Sequence, residues 1–440
     1  MLIRGHHYAT KNRKKHTQGC ILARFKLSLF LIFSCCTLYL VSNETGEVPP
    51  QRKTLLILSS TGGGGHLAAC NTLAQLVGEE YDLKVVYPIN ELRIWGVPSC
   101  EEIYNKMLKK GWIRSMNFIV RHVVPTIFRS RQGKVEKIIT SYIKAHHPDL
   151  VISLIPFINY SASEAARKQS LPFLVITTDN DLRNWAFEME KAQHPQMRIT
   201  IGADLPTTRE VLLKKHIPER MIETIGLPLR SEFFSLKNKE QALDSLPNQK
   251  RILIMMGGVG GEVAYDYTRK IGKIPLGVHL IVIAGRNKKL KEDLENLQLD
   301  PSNALSVFGY TNEVAGLMAI SDVIITKPGP GTINEALAMR LPMLIDHTNT
   351  SLFWERANVD IVLKYGVGQK VKKFNDLEEL LTSYLQNSEM KERLNRSFFN
   401  VPSNQFHLRI PQLIQEMLSS PYEPIPVNEE ALSSVKNQDR

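Results

Sequence analysis

The sequence predicts two doubly wound α/β domains in succession, and three observations predict them. From residue 54 onward, short β-branched apolar runs alternate with longer helical stretches. The alternation breaks near ETIGLPLRSEF (223–233), where glycine and proline mark a crossover, and then begins again. Glycine clusters fall where apolar runs end, at 62–65, 257–261 and 329–331. Continuous apolar strands between helices indicate parallel sheets buried on both faces. Ligands of such sheets sit beyond the carboxyl ends of the strands, where these glycines lie.

The first set of runs is TLLILSS (54–60), KVVYPI (84–89), DLVISLI (149–155), FLVITT (173–178) and RITIG (198–202). The second is RILIMMGG (251–258), HLIVIAG (279–285), ALSVFG (304–309), DVIITKPG (322–329) and PMLID (342–346). From about Asp376 the pattern is helical up to Leu418. The expected division is a basic and hydrophobic segment over 1–50, a first α/β domain over 51–235, a second over 236–420, and a disordered tail over 421–440.

A chain of 440 residues can bury two or three cores without staples. Its formal charge of +11 points to an anionic partner, such as a phosphorylated ligand, nucleic acid or an acidic membrane surface. Of five cysteines, Cys20, Cys35 and Cys36 lie in the N-terminal segment, leaving Cys70 and Cys100 with no CxxC. That spacing argues against a disulfide framework or a zinc site.

The first fifty residues differ from the rest. KNRKK, Arg24 and Lys26 lead into the apolar run LSLFLIFSCCTLYLV (27–41). The run is shorter than the about 20 residues of a comfortable spanning helix, but tilt and snorkelling of Lys26 could extend it. Signal peptide, signal anchor and a helix held in one leaflet are the three readings. No small-x-small cleavage site follows, so a single N-terminal membrane anchor is expected. The preceding positive charges place the N-terminus in the cytoplasm and the main body outside.

Between Glu102 and Glu136 no acidic residue occurs, while Lys106, Lys109, Lys110, Arg114, Arg121, Arg129, Arg131 and Lys134 do. Trp112, Ile113, Met116, Phe118 and Ile119 are interleaved with them. One reading is a helical hairpin with a solvated basic face. The other is a surface lying on anionic lipid, where each basic side chain contributes about 1 kcal/mol. No RNA- or DNA-binding motif accompanies the stretch, so nucleic acid is not the expected partner.

Three loops carry the chemistry. In TGGGGHLAAC (61–70), absent side chains let backbone N–H groups approach a ligand at a helix N-terminus, which favours negative charge. No Lys-Ser/Thr follows, which disfavours a metal-bound triphosphate. His66 instead stands at the mouth, where an unperturbed imidazole, with a pKa near about 6.5, can accept a proton at neutral pH; a merely exposed or capping histidine is its bland counterpart. MMGGVGGEVA (255–264) repeats the strand–loop–helix geometry. In ITKPGPGTINEALAMR (325–340), Pro328 and Pro330 stiffen the loop and Thr332 is the expected N-cap. Glu335, one turn in, either accepts ribose hydroxyls or forms a capping box with Thr332.

The segments HLIVIAGRNKKLKEDL and VFGYTNEVAGLMAISDVIITKPGPGTINEALAMRLPMLI resemble the C-terminal half of the monogalactosyldiacylglycerol synthases and processive diacylglycerol glucosyltransferases. The glucosaminyltransferase of the lipid II pathway is of the same family. The resemblance is dense over about 251–370 and looser over 54–233, through TGGGGH, YPINEL, VITTD and IGLPLRSEF. It implies the GT-B fold, two Rossmann-like domains facing across a cleft, and inverting transfer from a UDP-sugar. It implies Gly257, Gly258, Gly260 and Gly261 along the diphosphate, and Gly285, Arg286 and Asn287 with Tyr310 and Thr311 on uracil and phosphate. Gly331 and Thr332 would meet the diphosphate at the helix start, with Glu335 on the ribose. Glu355 and Asn358 match a family Q-E-x-x-N segment contacting the donor sugar, and Trp354 departs from it by standing where glutamine is usual. His66 matches the family histidine beside the acceptor.

The expected mechanism takes the acceptor proton on His66, contributing roughly 10²–10⁴-fold, with Asp179 assisting or orienting it. Loop amides and a helix dipole meet the charge on departing UDP, with no metal or other cofactor. DND (179–181) has the form of a metal-binding DxD, but it ends a strand in the acceptor half. Lys109, Lys110, Trp112, Arg114, Phe118 and Arg121 are the expected membrane and acceptor surface. The expected reaction is transfer of galactose or glucose to diacylglycerol or a related lipid. The alternatives are N-acetylglucosamine transfer to an undecaprenyl-linked precursor, and a non-catalytic nucleotide-sugar-binding membrane protein. UDP-sugars are cytoplasmic, so the body is expected at the cytoplasmic face, against the charge-based topology of the anchor.

Overall fold

The computed structural model describes residues 52–62, 64–92, 103, 106–107, 111–234, 249–258 and 260–422. The first sheet contains β1 (Thr54–Leu58), β2 (Asp82–Val86), β3 (Leu150–Ser153), β4 (Phe173–Ile176), β5 (Met197–Ile201) and β6 (Ile222–Thr224). The second contains β7 (Lys250–Met255), β8 (Val278–Ile283), β9 (Ala304–Phe308), β10 (Val323–Thr326), β11 (Met343–Asp346) and β12 (Gly368–Val371). All pairings in both sheets are parallel.

Helices of the first half are α1 (Gly65–Val77), α2 (Ile113–Phe118), α3 (Val124–Ser130), α4 (Gln132–His146), α5 (Asn159–Arg167) and α6 (Arg209–Lys214). Those that follow are α7 (Val263–Gly272), α8 (Lys288–Glu295), α9 (Val314–Ala319), α10 (Pro330–Ala338), α11 (Arg356–Lys364), α12 (Leu377–Gln386), α13 (Ser388–Phe399) and α14 (Phe406–Ser419).

Strand residues alternate between two cores, which is why the runs lack polar positions. In β1, Leu56 and Leu58 enter one cluster, with Ile139 of α4 and Ala162 of α5. Leu55 and Ile57 enter the other, with Leu73 of α1. All four β1 side chains are fully buried, each contributing about 1.5–3 kcal/mol. The second sheet divides the same way, with Ile252 and Ile254 of β7 on one face and Leu253 and Met255 on the other.

The last helix does not stay with the second sheet. Phe406, Ile410, Leu413, Ile414 and Met417 form one helical stripe on α14, and it seals the α1 face of the first sheet. Asn404 starts this return. Its Nδ2 donates to Leu227 O at 2.8 Å and to Asn334 Oδ1 at 3.1 Å, and its Oδ1 accepts from Phe406 N at 2.9 Å. Gly226, at φ +95°, leaves the space that the Asn404 side chain fills; a Cβ there would come within 2.5 Å of it. Pro421 and Tyr422 continue against the first half, through Gln196 and the Arg167 carbonyl. The rest of the expected tail, 423–440, lies outside the described residues.

Strand order positions the sites. The first sheet runs β2-β1-β3-β4-β5-β6, so it changes direction between β1 and β3. The second runs β12-β11-β10-β7-β8-β9, and its direction changes between β7 and β10. Counted from its own first strand, the second order is that of dinucleotide-binding sheets. The loops TGGGGH, GGVGGE and KPGPGT follow β1, β7 and β10, and all three stand at switch points.

The expected membrane anchor needs correction. Its segment, 1–50, lies outside the described residues, and among those described no helix is long and apolar enough to cross a membrane. The architecture of the described residues is therefore the two parallel α/β sheets typical of GT-B proteins, with no spanning helix among them. The transmembrane element, and the localisation built on it, thus have no helix among the described residues to carry them.

Candidate active site

His66 stands in the first turn of α1, directly beyond the first switch point, and is partly exposed. Gly64 and Gly65 before it are not demanded by the backbone. Gly64 is in the right-handed region, φ −92°, and a Cβ on Gly64 or Gly65 would meet nothing within 4 Å. The open space above these residues is what a ligand's close approach requires.

The Thr178 hydroxyl lies 3.5 Å from His66 Nδ1, and the Trp185 ring is 6.3 Å away, centroid to centroid. Asp179, expected to assist or orient the imidazole, accepts a hydrogen bond from Trp185 Nε1 at 3.2 Å. Burial pushes the Asp179 carboxyl up to about 7, against the Trp185 hydrogen bond and with help from the charges of Glu355 and Asp181. Glu355 comes from the other half, so the two carboxylates sense each other across the junction. Asp181, the second acid of DND, is engaged by Arg183, whose Nε lies 2.8 Å from Oδ1.

In the second half, the glycine loop after β7 is interlocked with the loop after β8. Gly257, Gly260 and Gly285 have φ of +84°, +80° and +59°. A Cβ on Gly260 would stand 2.0 Å from Ala284 O, and one on Gly285 would stand 2.6 Å from Gly258 O. Asn287 Nδ2 donates to Gly260 O at 3.3 Å while its Oδ1 caps α8 through Leu290 N at 3.1 Å. Asn287 thus holds the loop in shape from behind. Gly261 is packed on Met256, whereas a Cβ on Gly258 would meet nothing. Arg286 lies over the exposed Tyr310 ring at 4.5 Å, and Thr311 Oγ1 accepts from Glu313 N at 3.0 Å.

The third loop departs from expectation at its cap. Helix α10 opens at Pro330 with Gly329 as N-cap, so Thr332 lies inside the first turn. Proline at the first helical position removes an N–H that has no partner there. A Cβ on Gly331 would meet nothing within 4 Å, which leaves the helix start open. Glu335 pairs with Arg230 at 3.4 Å rather than with Thr332. Burial lifts its carboxyl to about 7, against the attraction of Arg230.

The halves meet at the carboxyl ends of both sheets. Asn180 Nδ2 donates to Asn358 Oδ1 at 3.0 Å, and Asn358 Nδ2 donates to Pro328 O at 2.9 Å. Asn358 is fully buried, and its amide is spent on these protein partners. Glu355, 5% exposed, pairs with Lys327 Nζ at 3.3 Å, and Lys327 also packs over Gly257. Sequence reasoning passed over Lys327, Thr178, Asn180 and Trp185. Only Lys327 carried a signal, as a cation between a strand end and the proline-glycine loop.

The basic stretch is partly a contact between halves. Its helices α2 and α3 are joined by a π-turn over Ile119–Val123, just before Pro125. Asn117 Nδ2 donates to Ser351 O and its Oδ1 accepts from Phe353 N, both at 3.0 Å. Arg121 lies 4.8 Å over the Phe353 ring. Trp354 packs among Met116, Ile113 and Ile119, which makes it a wedge between halves. Trp112 and Phe118 are exposed, as is Arg114. Lys109 and Lys110 lie outside the described residues. Among the described residues no cluster of three or more His, Cys, Asp or Glu could hold a metal ion.

Residues 261–346 match the glycosyltransferase family 28 C-terminal domain. A processive diacylglycerol beta-glucosyltransferase of Bacillus cereus (strain B4264) is 24% identical, covering 79% of this chain and 91% of its own. The chloroplastic monogalactosyldiacylglycerol synthase of Spinacia oleracea is 25% identical, over 76% of this chain and 67% of its own. Among solved structures, Acinetobacter baumannii MurG superposes with a TM-score of 0.54 at 12% identity, over 83% of this chain and 99% of its own. At that identity the likeness shows the fold alone.

Two Rossmann-like sheets joined at their switch points, with family 28 sequence over β8 to β11 of the second, define a glycosyltransferase. Within that class, the chain is related to the processive diacylglycerol glucosyltransferases and the monogalactosyldiacylglycerol synthases.

Proposed function

We propose that this enzyme transfers a hexose, galactose or glucose, from a UDP-sugar to the hydroxyl of diacylglycerol or a related lipid, with inversion. The reading is supported by three consecutive residues that join the two glycine-loop regions: Thr178 reaches His66, Asp179 senses Glu355, and Asn180 bonds to Asn358. On this reading a base beside one switch point serves a diphosphate cradle beside the other.

In this reaction the His66 imidazole takes the acceptor O–H proton as the oxygen attacks the anomeric carbon. The bond from that carbon to the diphosphate breaks, and UDP leaves carrying the electron pair. Its charge is met by the open amides at the start of α10, by the Gly258 region and by the Lys327 ammonium. On this reading Glu335 holds a ribose hydroxyl. The named activities of the two relatives support the lipid acceptor.

The test is to incubate the full chain and diacylglycerol with each UDP-sugar in turn and to resolve the lipid products. One sugar should yield a glycolipid, and His66→Ala should lower turnover by about 10²–10⁴-fold with UDP affinity kept. No lipid product from any UDP-sugar, or undiminished turnover in His66→Ala, would overturn the proposal.

A further inference from the structure

Beside the junction, and apart from the glycine loops, a cavity of about 650 Å³ opens between the halves. Such a volume lies within the range of small-ligand sites, about 300–1,000 Å³. Arg114 of α2 lines it from the first half. His347, Thr348, Asn349, Thr350 and Ser351 line it after β11, with Arg356 and Asp360 of α11 and Lys370 of β12.

Three full cations, from three separate elements, border this one space with a single carboxylate among them. Among the described residues, Arg114, Arg356, Lys370 and Asp360 enter no ion pair. Like charges held around a concavity repel, which raises the free energy, and a bound anion lowers it. Guanidinium groups match phosphate oxygens in pairs, an ammonium adds a point charge, and the Thr350 and Ser351 hydroxyls supply neutral donors, the Thr348 hydroxyl being spent on Asp346.

We propose that this cavity binds a phosphate-bearing anion, free or as a lipid headgroup, at a site separate from the sugar-nucleotide cradle. The cavity wall is also part of the latch between halves. Ser351 O accepts from Asn117, which lies one helical turn from Arg114, and the same loop runs on to Trp354 and Glu355. An anion bridging Arg114 to Arg356 and Lys370 therefore strengthens the apposition of α2 with the segment carrying Glu355. The inference does not depend on which sugar or acceptor the enzyme uses.

The test uses the full chain and two probes. The first is inorganic phosphate, compared with chloride at matched ionic strength, read as the shift in unfolding midpoint with and without UDP. The second is cosedimentation with phosphatidylcholine vesicles, with or without phosphatidic acid. The double variant Arg356→Ala/Lys370→Ala should weaken the response by about tenfold or more, because charged hydrogen bonds are lost. The charge-keeping pair Arg356→Lys/Lys370→Arg should restore it and show that the fold tolerates change there. A lost phosphate shift assigns a free anion, and lost binding confined to phosphatidic acid vesicles assigns a headgroup. Equal responses of wild type and double variant to both probes, or no response by wild type to either, overturn the site.

Discussion

The glycine loops after β1 and after β7 look alike in sequence and differ in physical cause. At Gly260 the fold itself forbids a side chain: φ is +80° and a Cβ would collide with the Ala284 carbonyl. At Gly64 the backbone is ordinary and the space beyond is empty. The loop after β7 is built before any ligand arrives, with the Gly285 turn and Asn287 as its mould. The loop after β1 keeps its surface bare. Glycine richness therefore marks a rigid cradle in one half and an open approach to His66 in the other.

The largest expected effect that sharpens this contrast is at Lys327, between the cradle and Glu355. On the proposed function, Lys327→Met removes a cation facing the departing diphosphate and leaves a buried Glu355 unpaired. A fall in kcat of about 10²–10³-fold is expected, with a smaller change in KM. Unchanged single-turnover rates would remove Lys327 from the reaction.

The comparison itself breaks or holds on two alanines. Gly260→Ala should destabilise the fold by about 2–4 kcal/mol, through backbone overlap and a disfavoured φ. Gly64→Ala should stay within about 0.5 kcal/mol of wild type in denaturant unfolding, yet slow transfer. Equal stability losses would mean that both loops are merely structural turns.

A smaller effect appears with pH, at the carboxyl where the halves meet. The Asp179 carboxyl is raised from 3.8 to about 7 in the folded chain, so the native state holds its proton more tightly than the unfolded state. The associated stability is fully present below the unfolded value and is lost as pH rises through about 7. Asp179→Asn should therefore gain on wild type across that window, by on the order of 1–2 kcal/mol at its alkaline end. Parallel unfolding curves at all pH values would show that the carboxyl is ordinary.

Most of this architecture was legible because parallel strands buried on both faces leave no polar interruptions. The runs at 54–60, 251–258 and 279–285 became β1, β7 and β8 for that reason. Strands β6 (IET) and β12 (GQKV) escaped notice because they are short edge strands carrying polar residues. The period of α14 was visible, but its destination was not, since a helical stripe does not name the face it covers. Glycine positions marked the candidate site. Its wiring was hidden: whether Asn358 spends its amide on sugar or on Asn180, and whether Glu335 meets Thr332 or Arg230, depends on segments brought together only by folding.

The return of α14 has a bearing on biosynthesis. Leu55, Ile57, Leu150 and Ile152 belong to strands made early, yet their outer cover includes Phe406, Leu413, Ile414 and Met417, which are made late. A ribosome must therefore finish nearly the whole second half before the first can close its apolar face, which leaves that face in need of temporary shelter during translation.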